Sequence, residues 1–245
     1  MNWNVQHVVS CASTMDEAKA LARKGAPEGT AVVAEEQTGG RGTQGRTWHG
    51  PKGGLYLSFV LRGLDDPRLL TLALGNAVAD ALEVAGLEAR LKWVNDVLVG
   101  GRKVAGILVE GESVGPKIDF LVAGIGINVN GHAEAFPAEL RTLATTVEDA
   151  LGCESCVPDL EAMLLQSIAR WVGLVRDGRN AEVLDAYRAR DALPGSRVQV
   201  HVDGKPVEGT AEGIDSQGHL LVRSGGVQHA IAHGTVQLLE SGPAA

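Results

Sequence analysis

A glycine-rich stretch at residues 39–48 lies between two predicted strands and constrains the fold more than any other feature of this sequence. Gly40, Gly42 and Gly45 match the spacing of the dinucleotide-binding fingerprint, which needs a strand before it and a helix that begins inside it. Residues 30–35 provide the strand, but glycines and a proline follow the stretch, and residues 55–61 then predict a second strand. The stretch is therefore a long loop between strands, which argues against a dinucleotide-binding unit.

The side chains of this loop are suited to holding anions next to a flat ring. Arg41 and Arg46 supply fixed positive charges and forked donors for a phosphate or a carboxylate. Trp48 supplies a flat face for a purine, and the glycines let backbone N–H groups approach an anion closely. A flexible surface loop without a function rarely combines such residues. We therefore predict a site that holds a nucleotide and an acidic small molecule side by side.

The order of the predicted elements indicates an α+β fold with a mixed, mostly antiparallel sheet flanked by helices. Thr14 and Glu17 fit a capping box at the start of the first helix. Short turns join successive strands between residues 89 and 127, and strands joined in this way are antiparallel. We expect the helices to cover one face of this sheet. Apolar spacing predicts the helices near residues 14–24, 67–85, 158–177 and 181–189.

The last part of the chain predicts a separate small β-barrel. Pro194 and Gly195 break the helical pattern, and short alternating strands follow, with a turn at Asp203-Gly204. We therefore place the domains at residues 1–192 and 193–245.

The composition of the chain argues against several kinds of binding partner and favours one cellular compartment. The chain has 245 residues, 44% of them apolar, which is ample for a core. A net charge of −8 argues against a broad nucleic-acid surface, and no apolar run is long enough to span a membrane. The N-terminus lacks the pattern of a signal peptide, and three cysteines make a disulfide framework improbable. We expect a cytoplasmic protein that binds neither nucleic acid nor membranes.

Two further polar clusters fall on the predicted antiparallel strands. Lys92, Asn95 and Asp96 come where one strand ends, and Lys103 precedes an apolar run in which an unpaired charge would be costly. Taken alone, Lys103 is equally compatible with a solvated lysine on a strand edge. Residues 124–130 contain glycines within a strand, which indicates either a close approach to the backbone or a bend at a barrel corner.

No side chain in these clusters is typical of a catalytic nucleophile. Residues 111–115 match the nucleophile elbow of hydrolases, but that motif needs a helix after it, and Pro116 and another predicted strand follow instead. Cys153 and Cys156 have no second pair and no histidine at ligand spacing. We therefore predict neither a hydrolase nor a protein-bound metal site.

Together and in this order, the clusters resemble the biotin–protein ligases. The resemblance covers most of the chain and rests on Ser13-Thr14 and on residues 36–42, 45–48, 92–96, 102–108 and 124–130. It implies a class II synthetase-like catalytic domain followed by an SH3-like β-barrel. It also implies a reaction in two steps, in which ATP and biotin give biotinyl-AMP and pyrophosphate, with Mg²⁺. The biotinyl group then passes to a lysine of a biotin carboxyl carrier domain.

The resemblance implies roles for individual residues. Lys103, Arg41 and Asp96 would be catalytic, with Lys103 on the biotin carboxylate and Asp96 orienting or deprotonating the incoming lysine. Biotin would contact Ser13, Thr14, Gln37, Gly40, Arg41, Lys103, Gly106, Gly124 and Gly126. The nucleotide would contact Arg41, Arg46, Trp48, Asn95 and Asn128.

The sequence departs from the family pattern at two positions. Thr43 stands where many relatives have a second arginine, so we expect the loop to hold biotinyl-AMP less tightly. Val94 stands where proline is usual, which softens the turn before Asp96. The chain begins almost at the predicted catalytic helix, so we also expect no helix-turn-helix domain and no repressor activity.

Two other functions remain open at this point. A lipoate– or octanoate–protein ligase has a similar fold and chemistry, although a ring ureido group needs polar donors that an aliphatic chain would leave unpaired. A non-catalytic biotin or nucleotide sensor would share the site without the reaction. For the oligomeric state, we expect a monomer or a weak homodimer.

Overall fold

A seven-stranded sheet forms the larger part of the computed structural model, which describes residues 1–115, 117–202 and 205–240. Its strands are β1 (Asn4–Cys11), β2 (Thr30–Gln37), β3 (Leu55–Leu61), β4 (Ala89–Lys92), β5 (Asp96–Val99), β6 (Arg102–Val114) and β7 (Lys117–Ile127). They lie in the order β1-β2-β3-β7-β6-β5-β4, and only the β1–β2 pair is parallel. The predicted α+β fold with a mixed, mostly antiparallel sheet is confirmed.

Strand β1 was not predicted, and it forms one edge of the sheet. Most of its side chains are exposed, including Val8 and Val9, so the sequence shows no buried face that would mark a strand. Its parallel pairing with β2 requires a crossover, which helix α1 (Thr14–Arg23) provides. The crossover brings the start of α1 beside the end of β2, where Thr14 contacts Gln37.

Helices cover both faces of the large sheet, so the expectation that they cover one face is wrong. On one face, α1 packs Met15 and Ala18 against Val60 and Val122 in a small separate core. On the other face, the main core joins the sheet to the remaining helices. Strand β3 lies between the two cores, and all of its residues are buried.

No helix in the described ranges is both long and apolar enough to span a bilayer. The remaining helices are α2 (Leu70–Val84), α3 (Val147–Leu151), α4 (Val157–Arg176) and α5 (Asn180–Arg190).

A second sheet of five strands follows α5. It contains β8 (Arg197–Val202), β9 (Lys205–Ile214), β10 (Leu220–Ser224), β11 (Val227–Ile231) and β12 (Thr235–Glu240), in the order β11-β10-β9-β8-β12. Within the described residues the end strands β11 and β12 do not pair, so the sheet is open and is not a closed barrel. Strand β12 was not predicted, and the predicted turn at Asp203-Gly204 lies outside the described residues. The domain boundary after residue 192 stays a prediction.

The smaller sheet packs directly against the larger unit. The indole nitrogen of Trp93, in the turn between β4 and β5, donates to the carbonyl oxygen of Gly218 at 2.9 Å. Arg188 of α5 donates to the carbonyl oxygen of Asp215 at 3.1 Å. Segments after residue 193 are therefore fixed next to the strands that carry the predicted polar clusters.

Candidate active site

A cavity of about 250 Å³ lies between the start of α1, the glycine-rich loop and strands β6 and β7. Two predicted site residues do not line it: Gly40, which accepts a backbone hydrogen bond from Trp48, and Asp96, which contacts Lys103. All the other predicted site residues line it: Ser13, Thr14, Gln37, Arg41, Arg46, Trp48, Asn95, Lys103, Gly106, Gly124, Gly126 and Asn128. The fold therefore brings the three sequence clusters to one place, although the roles of the residues stay predictions.

The indole of Trp48 lies against a pair of glycines on the sheet. Gly106 of β6 and Gly126 of β7 pair across the two strands. A Cβ atom at Gly106 would stand 2.8 Å from the indole, and one at Gly126 would stand 2.9 Å from it. Both positions therefore need glycine for this ring to rest on the strands. The indole nitrogen is buried and has no hydrogen-bond partner among the described residues, so it is a donor available to a ligand.

Lys103 is held beside the cavity by an acidic partner. Its Nζ lies 2.5 Å from Oδ1 of Asp96, and Oδ2 of the same carboxylate lies 3.5 Å from Nζ of Lys92. The ammonium group also lies 5.1 Å from the centre of the Trp48 ring, within reach of a cation–π contact. Lys103 is therefore not a freely solvated lysine on a strand edge.

Hydroxyl and amide groups form the end of the cavity at the start of α1. Oε1 of Gln37 accepts from the backbone nitrogen of Thr14 at 2.8 Å and from its Oγ1 at 3.2 Å. The Thr14 hydroxyl also lies 2.8 Å from the hydroxyl of Ser58, so it does not cap the helix and the predicted capping box is wrong. The cap position belongs to Ser13, whose buried hydroxyl has no partner among the described residues.

The two arginines of the loop are held by neighbouring groups. Nη2 of Arg41 donates to Oδ1 of Asp16 at 2.5 Å. Arg46 donates to the backbone oxygen of Thr43 at 3.3 Å and to its hydroxyl at 2.9 Å. Both side chains line the cavity, so a bound anion would compete with these contacts for the guanidinium groups.

Asn95 and Asn128, the two asparagines predicted for the site, each donate a hydrogen bond to a backbone carbonyl oxygen. Nδ2 of Asn95 donates to the oxygen of Ile107 at 2.9 Å, and Nδ2 of Asn128 donates to the oxygen of Thr145 at 3.1 Å. Oδ1 of Asn128 is buried and has no partner among the described residues. The amides thus fix the walls of the cavity, and their contact with adenine stays a prediction.

The far end of the glycine-rich loop is anchored on β3. The hydroxyl of Tyr56 donates to the backbone oxygen of Pro51 at 2.5 Å. Burial, with a smaller contribution from Glu36, raises the pKa of this phenol well above its usual range, so it stays protonated and remains a donor.

Known proteins match both parts of the chain. The model of the biotin/lipoate A/B protein ligase family matches residues 8–128, and that of the biotin protein ligase C-terminal domain matches residues 195–239. A biotin–[acetyl-CoA-carboxylase] ligase of Paracoccus denitrificans is 36% identical over 218 residues, which are 85% of this chain and 91% of that protein. The chain belongs to the biotin protein ligase family. The resemblance that the motifs indicated is thereby confirmed.

Other members of the family match along most of the chain. A biotin–[acetyl-CoA-carboxylase] ligase of Mycobacterium tuberculosis is 36% identical over 94% of this chain and 86% of that protein. The biotin protein ligase of Aquifex aeolicus, in complex with biotin and ATP, has a TM-score of 0.85 at 29% identity, over 97% of this chain and 99% of that chain. The bifunctional ligase/repressor BirA of Bacillus spizizenii is 42% identical over 60% of this chain, but the chain spans only 46% of that protein's length.

Several residues that line the cavity were not predicted. Met15 and Ser58 belong to regular elements but follow no motif. Leu140 ends a short 3₁₀ helix, and Leu143 and Ala144 lie in the irregular segment that follows it. The backbone oxygen of Leu143 accepts from the nitrogen of Lys103 at 2.8 Å. This segment has no periodicity, so only its contact with Lys103 reveals that it borders the site.

Proposed function

We propose that this biotin protein ligase activates biotin with ATP to biotinyl-5′-AMP and then transfers the biotinyl group to a lysine of a biotin carboxyl carrier domain. The observation that carries the proposal is the cavity, where cations of the loop and of β6 lie near hydroxyl and amide groups at the start of α1. The Aquifex aeolicus ligase, which is similar over 97% of this chain, was solved with biotin and ATP and supports both substrates.

The first step brings two anions together. An oxygen of the biotin carboxylate attacks the α-phosphorus of ATP, the bond to the bridging oxygen breaks, and pyrophosphate leaves with its electron pair. Lys103, Arg41 and Arg46 line the place where this charge accumulates, and fixed cations stabilise such a transition state. If a bound anion pairs with Lys103 in place of Asp96, the Asp96 carboxylate keeps its contact with Lys92.

The second step needs no nucleophile from the enzyme. The amine of the partner's lysine attacks the carbonyl carbon of the mixed anhydride, an amide forms, and AMP leaves. The amine must lose a proton, and Asp96 is the carboxylate nearest to Lys103. We propose that Asp96 orients Lys103 in the first step and, in the second, orients the incoming lysine and takes up the proton that its amine loses.

The polar end of the cavity favours biotin over lipoate or octanoate. The Ser13 hydroxyl has no partner among the described residues, and Thr14 and Gln37 are linked to each other. A ureido ring carries an oxygen and two N–H groups that could pair with the Ser13 hydroxyl, whereas an aliphatic acid would leave that hydroxyl buried and unpaired.

We propose that Mg²⁺ enters with the phosphates of ATP. Among the described residues, no three His, Cys, Asp or Glu side chains lie close enough together to hold an ion. Phosphate oxygens and water would therefore supply most of its ligands, because Mg²⁺ bound to a nucleotide usually keeps several waters.

Pyrophosphate exchange into ATP tests the function directly. Purified protein is expected to exchange labelled pyrophosphate in the presence of biotin, and to do so far more slowly with lipoate or octanoate. Exchange that is fastest with lipoate or octanoate would instead support the ligase for those acids. If none of the three acids supports exchange, the result would favour the non-catalytic sensor.

The remaining properties are proposals that follow from the reaction. The partner is the carrier domain of a biotin-dependent carboxylase, as the names of the Paracoccus and Mycobacterium relatives suggest. We further propose a cytoplasmic enzyme, a monomer or a weak homodimer, that binds no nucleic acid, with its domains at residues 1–192 and 193–245.

Replacement of Thr43 by Arg is expected to slow the release of biotinyl-AMP. The change adds a cation to the loop and removes the hydroxyl that accepts from Arg46. We expect release to be about two- to fivefold slower, the range for one added, partly exposed charge. Release is measured by filtration after the intermediate forms in place. Thr43→Gln is the matched control, since it adds length without charge, and equal retention by all three proteins would contradict the prediction.

A further inference from the structure

The tip of the glycine-rich loop contacts the C-terminal sheet. Oε1 of Gln44 accepts a hydrogen bond from Oγ1 of Thr235 at 2.9 Å, across a sequence separation of 191 residues. Thr235 is the first residue of β12 and pairs with His201 of β8, and the next residue, Val236, is buried. The hydroxyl is therefore carried by a strand that is held by its pairing with β8 and by the burial of Val236 in the main core.

Gln44 has a backbone conformation that benefits from such a contact. Its φ of 57° and ψ of 32° are left-handed, and among the described residues it is the only one other than glycine with a positive φ. This conformation is unfavourable for a residue with a side chain, so it persists where the surroundings hold it. Among the described residues, the Thr235 hydroxyl is the hydrogen-bond partner of the Gln44 side chain.

The turn at Gln44 determines the position of the groups that line the cavity. The backbone nitrogen of Gly42 donates to the oxygen of Arg46 at 2.7 Å, and that of Trp48 donates to the oxygen of Gly40 at 2.9 Å. The two arms of the loop are thus hydrogen-bonded to each other on either side of the tip. Movement of the tip would therefore shift both Arg46 and Trp48, which line the cavity.

We propose that Thr235 is a positioning residue, whose hydroxyl holds the tip of the glycine-rich loop over the cavity through Gln44 and so slows the loss of the acyl-adenylate. This inference rests on the proposed function. Among the described residues, none of the C-terminal sheet lines the cavity, so the sheet acts on the site through the loop.

Limited proteolysis of the full chain tests the contact without any ligand. Trypsin cleaves after arginine, and the loop carries Arg41 and Arg46 on either side of Gln44. Cleavage of a transiently opened segment follows the population of its open form. Thr235→Val keeps the shape but removes the hydroxyl, and we expect cleavage in the loop to become about fivefold faster, the effect of one lost hydrogen bond. Cleavage at sites elsewhere should not change.

Thr235→Ser is the matched variant, because it keeps the hydroxyl and loses only the methyl group. We expect it to be cleaved in the loop at the wild-type rate. The proposal is overturned if Thr235→Val is cleaved like the wild type. It is also overturned if Thr235→Ser is cleaved as fast as Thr235→Val, because the methyl group and not the hydroxyl would then hold the loop.

A double-mutant cycle on intermediate release tests the functional part. Gln44→Ala and Thr235→Val should each speed the release of biotinyl-AMP by about fivefold, and the double variant should release it no faster than either single variant. Effects that multiply would show that the two residues act separately and would overturn the proposal. If the wild type forms no acyl-adenylate, the proposed function fails, and if it forms one that Thr235→Val retains equally well, only the positioning role fails.

Discussion

Replacing Lys103 by Ala is expected to slow biotin-dependent pyrophosphate exchange by roughly 10²- to 10³-fold, the loss typical of one fixed donor to a charge that develops in the transition state. Lys103 is the cation of β6 that lines the cavity, and it lies beside Trp48 at 5.1 Å. The fold should survive the change, because Asp96 keeps its contact with Lys92. The exchange rate at saturating biotin and ATP measures the effect.

Arg102→Ala is the matched control for this experiment. It removes one positive charge from the neighbouring position of the same strand, where successive side chains point to opposite faces, and Arg102 does not line the cavity. We expect its exchange rate to stay within about twofold of the wild type, since surface charges contribute little. Equal losses in both variants would mean that general charge, and not the position of Lys103, drives the reaction.

Replacing Asp191 by Asn is expected to stabilise the protein at neutral and alkaline pH. Asp191 follows α5 and is only 5% exposed, and its Oδ2 has no partner among the described residues. Its Oδ1 accepts from the nitrogen of Leu193 at 3.0 Å, which an amide oxygen can also do. Burial is the main cause that raises the pKa of this carboxyl from 3.8 to about 6.

The direction of the pH dependence follows from that raised pKa. The folded state binds a proton that the unfolded state releases near pH 3.8, so the contribution of Asp191 to stability is complete below that pH and is lost as pH rises through about 6. An amide does not titrate. Asp191→Asn should therefore match the wild type near pH 4 and exceed its free energy of unfolding by up to about 3 kcal/mol near pH 8, at 1.36 kcal/mol per pKa unit.

Urea unfolding at several pH values between these limits measures the effect. Asp185→Asn on the preceding helix α5 is the control, because this carboxylate is 73% exposed and pairs only with Arg188 among the described residues. We expect it to change the free energy of unfolding by less than about 1 kcal/mol, because exposed ion pairs contribute little. If Asp191→Asn and the wild type lose stability in parallel as pH rises, the buried carboxylate does not cause the loss.

The part of the fold that the sequence predicts best is the part that is buried on both faces. Residues 55–61 form β3 as expected, because a run of apolar residues between glycines suits a fully covered strand. Strands β1 and β12 lie at sheet edges with mostly exposed side chains, so pairing with a neighbour, and not an apolar pattern, determines them. Both were missed for that reason.

Most of the residues predicted for the site line the cavity, but their contacts were not predicted. Glycines in β7 indicated a close approach to the backbone, and the structure shows that the indole of Trp48 makes that approach at Gly126. Thr14 fits a capping box by spacing, but Ser58 lies 2.8 Å from its hydroxyl across 44 residues of sequence. Such long-range partners leave no local signal, and neither does the irregular segment that contains Leu143.

The resting place of Trp48 has a consequence for protein engineering. Because the ring fills the space above Gly106 and Gly126, a methyl group at either glycine would collide with it, and a smaller ring at position 48 would leave a gap above bare backbone. The residue that each of the three positions tolerates therefore depends on the residues at the other two. Efforts to make the enzyme accept bulkier nucleotides or vitamin analogues should randomise them jointly, since libraries that vary one position at a time would discard most workable combinations.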